Sequence, residues 1–194
     1  MELGEEKEGD LKVKGVVFLD RDGTLNEDPG YLNDPEAVKL FDGVPEALSL
    51  LSQAGFDLVV VSNQSGIARG IINPQNLVLI NERINGLVSE AKTEISKFML
   101  CVHHPDDRCD CRKPQPKLLL EYCQSKGIQP EHCYMVGDKA TDLGAGRNAG
   151  CRGVALVRTG YGQEEEGSLK EGEADFVGAD LLEVSHWILK DSNF

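Results

Sequence analysis

The sequence is short of positive charge: 20 Lys and Arg stand against 33 Asp and Glu in 194 residues, a formal charge of -13. That argues against a nucleic-acid partner, because polyanion binding depends on basic side chains that neutralise phosphates and release counterions. Long apolar runs are also missing, and nothing approaches the roughly 20 residues that span a bilayer. The amino terminus is acidic where an export signal is basic and then apolar. The expectation is a soluble, cytoplasmic protein, a monomer with neither a membrane nor a nucleic-acid partner. No internal repeat and no low-complexity linker divides the chain, and its length suits one core. With 40% hydrophobic and 27% charged residues, the composition is that of a chain that folds. Part of the acidic excess falls in the first ten residues and in Glu164, Glu165 and Glu166, read as a solvated tail and a solvated loop.

Residues 1–14 have no apolar period and read as a flexible leader, leaving 15–194 as a single domain. Val16-Val17-Phe18-Leu19 is a short continuous apolar run, the pattern of a strand buried on both faces of a parallel sheet. Similar runs occur at 58–61, 98–101, 134–136 and 154–157. Helical patterns alternate with them. The first covers 45–54, and a second opens at Asn73-Pro74 with Leu77, Ile80, Ile84, Leu87, Val88 and Ala91 on one face. Others span 117–126 and 142–149, each closed by a glycine, and a last one over 181–189 turns Trp187 inward. Strand and helix in alternation predict an α/β fold, a three-layer Rossmann-like parallel sheet with helices on both faces. Ligands then bind at the carboxyl ends of the strands. Asp20, Ser62, the Cys/His cluster and Asp138 each follow a strand, so four segments meet on one rim.

Asp20 and Asp22 place two carboxylates two residues apart, directly after a strand and before Gly23. Like charges that close repel, and a divalent cation relieves the repulsion while shielding an anionic phosphate from an attacking carboxylate. Any one of these residues alone reads as a turn, a helix cap or a surface lysine. Asp20-Arg21-Asp22-Gly23-Thr24, however, resembles the first motif of the haloacid-dehalogenase superfamily of phosphatases. Ser62-Asn63-Gln64-Ser65-Gly66 is similar to its second motif, Arg112-Lys113-Pro114 to its third, and Gly137-Asp138-Lys139-Ala140-Thr141-Asp142 to its fourth, in order and at matching spacing.

The resemblance implies Asp20 as the nucleophile, which forms a phospho-aspartate, and Asp22 as the general acid and then the base. It also implies Ser62, the Asn63 amide and Lys113 around the phosphate. Mg2+ would sit on the Asp20 carboxylate, the Asp22 carbonyl and the Asp138 carboxylate, since it favours hard oxygen ligands. Asp142 and Lys139 fall behind these groups or at the substrate's edge. A phosphoryl group in transfer carries charge on three equatorial oxygens, so fixed cations and donors around it are what the chemistry requires. Arg21, Arg69, Arg112, Lys113 and Lys139 are the local cations within these motifs.

Three of the six cysteines crowd into 101–111 beside histidines, which favours a metal over disulfides and a reducing compartment. Cys101, His103, Cys109 and Cys111 form a tetrahedral, closed set suited to structural Zn2+, with His104 as the alternative imidazole. Such a zinc-binding loop runs straight into Arg112 and Lys113 and would fix both. Cys123, Cys133 and Cys151 lie on apolar patterns and read as core residues.

Neither interval between the first three motifs is long enough for a large cap domain, so substrate choice falls to loops. Asp28, Gly30 and Tyr31 form one loop, and Gln64, Ser65 and Arg69 lie on another. Arg112 is available to grip a second phosphate or a carboxylate bidentately. Together these features look most like the D,D-heptose 1,7-bisphosphate phosphatases, which remove the 7-phosphate of D-glycero-D-manno-heptose 1,7-bisphosphate on the way to bacterial surface polysaccharide. The histidinol-phosphate phosphatases, a sister family, resemble the chain in the same motifs. A non-catalytic sugar-phosphate-binding protein on this fold is the reading from another class.

Overall fold

The computed structural model describes residues 13–192. Six parallel strands form one sheet, β1 (Gly15–Leu19), β2 (Phe56–Asn63), β3 (Lys97–Cys101), β4 (Tyr134–Gly137), β5 (Gly153–Val157) and β6 (Phe176–Gly178). Their spatial order is β3-β2-β1-β4-β5-β6. Chain order therefore runs outward in opposite directions from β1, and the β1/β4 boundary is the switch point where helices leave opposite faces and a crevice opens.

The helices are α1 (Val44–Gln53), α2 (Pro74–Ser89), α3 (Lys117–Lys126), α4 (Ala140–Ala149), α5 (Gly162–Glu166) and α6 (Leu181–Asp191). Alternation along β1 shows why three layers form. Val17 and Leu19 pack with Leu48, Ile80, Ile84 and Val184 from α1, α2 and α6 on one face. Val16 and Phe18 pack with Leu119, Tyr122, Leu143 and Ala145 from α3 and α4 on the other. Both faces of each central strand are thus apolar, which explains the unbroken hydrophobic runs. A fully buried side chain of this size contributes roughly 1.5–3 kcal/mol.

Local signals place the helix ends as expected. Asn73 caps α2, its side chain accepting from the Gln75 N–H with Pro74 at the first helical position. α3 and α4 stop at Gly127 and Gly150.

Several readings need correction. Ala91 falls beyond the end of α2. Glu164, Glu165 and Glu166 form part of α5 and not a loop; Glu166 pairs with Arg158 at 2.6 Å and Glu165 accepts from the Ala140 N–H. β6 has no counterpart among the expected strands, because its three residues are too few to carry a pattern. Trp187 is only half-buried, stacked on Phe176 and edge-on to Tyr134.

The leader lies outside the described residues except for its last two; of these Lys14 already donates its N–H to Gly55. No domain is inserted between β1 and β2, where a short turn and α1 fill the interval, nor between β2 and Arg112. Among the described residues no helix is long and apolar enough to cross a membrane.

Candidate active site

At the carboxyl end of the sheet a cavity of about 420 Å³ opens over the switch point. Asp20 directly follows β1 and Asp138 directly follows β4, so the two sides of the switch point each deliver a carboxylate. Asp20 Oδ1 accepts the Arg21 N–H at 2.7 Å and pairs with Lys113 Nζ at 2.8 Å. The same ammonium lies 2.7 Å from Asp142 Oδ1 and donates to the Val61 carbonyl at 2.6 Å. Burial alone would lower the Lys113 pKa, but Asp142 and Asp20 outweigh it and the ammonium is held firmly charged.

Asp138 is fully buried and its Oδ1 has no hydrogen-bond partner. Burial, reinforced by the charges of Asp20 and Asp142, pushes its carboxyl up to about 7. Burial likewise raises Asp142 to about 6 against the pull of Lys113. Carboxylate oxygens of Asp20, Asp138 and Asp142 all lie within 4.8 Å of one another. A hard divalent cation resolves both the crowded charge and the orphaned Asp138 oxygen, so the donor set suits magnesium.

Asp138 is seated by close backbone approach. Gly23 and Gly160 both have positive φ, and a Cβ on either would stand 2.1 Å or 2.4 Å from Asp138 Oδ2. Only glycine permits that conformation and that contact together.

Asp22 turns elsewhere. Its carboxylate receives Arg21 Nη2 at 2.8 Å, Asn26 Nδ2 at 3.0 Å and Gln64 Nε2 at 2.8 Å. Burial would raise it, but the Arg21 guanidinium and these donors prevail and keep it below the ordinary carboxylate range. Arg21 is 0% exposed and its other arm is held by Asn81 of α2, so it is not a cation offered to substrate. Gln64 is likewise engaged, bridging Asp22 and Ser62, at 2.9 Å to the Ser62 hydroxyl. The Asn63 side chain locks Lys113 from both sides, accepting its N–H at 3.0 Å and donating to its carbonyl at 3.2 Å.

Asp28, Gly30, Tyr31, Ser65, Arg112 and Lys139 line the cavity with Asp20, Asp22, Ser62, Asn63, Gln64 and Lys113, whereas Arg69 does not. The Arg69 side chain is exposed outside it. Arg112 carries a buried Nη1 with no partner. Lys139 Nζ lies 3.6 Å from Asp28 and 3.8 Å from Asp138. Sequence reasoning missed Thr141 and Tyr161, which also line the cavity. Thr141 stands inside the fourth motif, one residue before Asp142, and was legible there. Tyr161 was not, since it follows β5 and belongs to no motif.

The loop of residues 101–111 gathers Cys101, His103, Cys109 and Cys111 within 4.8 Å. Sulfur pairs lie 3.2–3.7 Å apart, and His103 Nδ1 is 3.2 Å from Cys111 Sγ. A tetrahedron with metal–sulfur bonds of about 2.3 Å places sulfurs roughly 3.8 Å apart, so the cluster has the size of a metal site. His104 instead caps the turn at Pro105–Asp107, its Nδ1 accepting from the Asp106 N–H, which makes His103 the imidazole of the cluster. The Arg112 N–H donates to Cys109, tying this cluster to the cationic pair. None of the six cysteines forms a disulfide.

Residues 110–184 match the HAD-hydrolase-like family model. The chain is 41% identical over 175 residues to the D-glycero-beta-D-manno-heptose-1,7-bisphosphate 7-phosphatase of Haemophilus influenzae, covering 87% of this chain and 94% of that one. The enzyme of the same name from Pasteurella multocida is 38% identical over 161 residues, with 80% and 88% covered. Among solved structures, the D,D-heptose 1,7-bisphosphate phosphatase from B. bronchiseptica, complexed with magnesium and phosphate, superposes with a TM-score of 0.85 at 30% identity, covering 92% of this chain and 99% of that one.

Proposed function

Because the chain belongs to the haloacid-dehalogenase-like D-glycero-beta-D-manno-heptose-1,7-bisphosphate 7-phosphatase family, we propose that it hydrolyses the 7-phosphate of that heptose bisphosphate through a phospho-aspartate on Asp20. The observation that carries the reading is the buried chain Asp20–Lys113–Asp142 on the cavity floor. A fixed, buried ammonium beside a carboxylate suits attack on an anionic phosphorus.

Lys113 and Arg21 contact Oδ1 of Asp20, leaving Oδ2 to attack. The ester bond to the leaving oxygen breaks, and Asp22 gives that oxygen a proton. Asp22 is ionised in the free enzyme, so it takes this proton from solvent as the anionic ester enters beside it, the added negative charge raising its affinity for the proton. Water then attacks the acyl phosphate, Asp22 accepts its proton, and inorganic phosphate departs. Ser62 and the Asn63 N–H hold the equatorial oxygens.

Asp20, the Asp22 carbonyl and Asp138 would hold Mg2+, with the unpartnered Oδ1 of Asp138 as an open donor, while Asp142 is the counter-ion of Lys113. Bound there, the ion neutralises charge between carboxylate and phosphate. Arg112, with its orphaned Nη1, is the group for the remaining phosphate. Cys101, His103, Cys109 and Cys111 would hold Zn2+, which would brace the loop rather than take part in the reaction. We read residues 15–194 as one capless domain, acting in the cytoplasm as a monomer; every strand among the described residues joins one sheet.

Turnover of the heptose bisphosphate, histidinol phosphate and a nucleotide panel with magnesium tests this directly. The heptose bisphosphate should lead by at least about tenfold in kcat/KM, and a preference for histidinol phosphate would refute the assignment. Zinc should be found at one equivalent per chain. Cys109→Ser should lose it and lower kcat by about 10- to 100-fold, as loss of support around a site does.

A further inference from the structure

Resting on that reading, we propose that Tyr161, on the loop between β5 and α5, is a specificity-determining residue that seats the sugar of the substrate. This loop is pinned to the catalytic floor at three points. The Thr159 hydroxyl donates to the Gly23 carbonyl at 2.7 Å. Gly160 adopts φ +57° and lies directly against Asp138 and Gly23, where a Cβ would approach within 2.4 Å and 2.5 Å. The Tyr161 N–H donates to Asp138 Oδ2 at 2.9 Å.

The backbone of residue 161 is therefore as fixed as the carboxylate it serves, while the residue remains 44% exposed and lines the cavity. Its ring is amphipathic, with an apolar face that can pack on a ligand and a hydroxyl that can stay in water. Part of its purpose is visible, because Lys139 Nζ stands 4.4 Å from the ring centroid. Ring, Asp28 and Asp138 together hold that ammonium at the mouth. Tyr31, 43% exposed on another loop, is the second bare aromatic lining the cavity.

The geometry follows from where the phosphate must go. With the reacting phosphorus at Asp20 on the floor, the rest of the substrate emerges at the mouth, where Tyr161 stands. A polyhydroxylated chain carries C–H faces that pack on an aromatic ring and hydroxyls that reach an ammonium beside it. An aromatic held on a rigid backbone binds at small ordering cost. The role is one of ground-state and transition-state binding alike, so its loss should appear in KM.

The test compares Tyr161→Ala, Tyr161→Phe and the parent enzyme on the heptose bisphosphate, with inorganic phosphate as a competitive inhibitor that fills the floor without a sugar. Tyr161→Ala should raise KM about tenfold, with kcat and the phosphate inhibition constant changed less than twofold, and Tyr161→Phe should restore KM. An unchanged KM overturns the proposal. So does a KM and an inhibition constant that rise together, or a fall in kcat with a higher magnesium requirement, since both mean that the residue acts through Asp138. Failure of the parent enzyme on heptose bisphosphate would instead refute the substrate assignment, and the same split would then be measured on the sugar phosphate it accepts.

Discussion

Asp20→Asn should abolish phosphate release, lowering kcat by roughly 10⁴-fold or more, while the protein remains folded and retains its loop metal. The amide is nearly isosteric, so packing under the cavity is preserved. It is not a nucleophile towards phosphorus, and it gives up the charge that holds Lys113 at 2.8 Å. Lys113 keeps its second partner, Asp142, at 2.7 Å, so the ammonium stays paired and buried. The fold should therefore lose little, because a buried charge with one good partner is far cheaper than one with none. Rapid quench with labelled substrate should trap phosphate on the parent enzyme and none on the variant. Residual turnover above about 1% of the parent rate would remove Asp20 from the nucleophile's role.

Lys113→Ala should be the more damaging change to the molecule as a whole. Its ammonium is the shared counter-ion of Asp20 and Asp142, and all three side chains are almost entirely buried. Removing it leaves two uncompensated carboxylates, at a cost of about 3–5 kcal/mol in stability. It also removes a fixed cation from the phosphate site, worth about 10²- to 10³-fold in kcat.

The stability deficit should depend on pH. Burial already raises the Asp142 carboxyl to about 6, above its ordinary value of 3.8, and loss of Lys113 raises it further. A raised carboxyl favours the folded state when protonated, so the deficit should shrink as pH falls towards 4 and widen above 7. Denaturant titrations at both ends of that range measure it. Adding Asp142→Asn should recover stability without activity, which separates the two roles. Lys113→Arg should rescue neither, because a planar guanidinium cannot place one nitrogen within 2.8 Å of Asp20, Asp142 and the Val61 carbonyl.

Legibility in the sequence followed the range of the interaction. The strands at 16–19, 58–61 and 154–157 were readable because burial on both faces forces apolar residues at every position. β6 was not, because three residues at the sheet's edge are placed by pairing with β5 and carry no period of their own. Glu164, Glu165 and Glu166 read as solvated because their charges were visible and their partners, Arg158 and the Ala140 N–H, were not.

The four motifs and the Cys/His spacing picked out side chains that the fold does gather at one cavity and one loop, since such chemistry restricts which residue types serve it. By itself, then, the sequence determined the layered parallel fold and pointed to the carboxylates, the lysine and the Cys/His loop that the structure brings together. Tertiary structure alone decided which cations face substrate: Arg21 turned away to hold Asp22, Arg69 outside the cavity, and Lys113 bound between two aspartates. It also decided that His103, and not His104, joins the three cysteines and that Tyr161 lines the cavity. The physical reason is that residue type and spacing are local properties, whereas the direction of a side chain is set by neighbours that only the sheet's crossovers bring together.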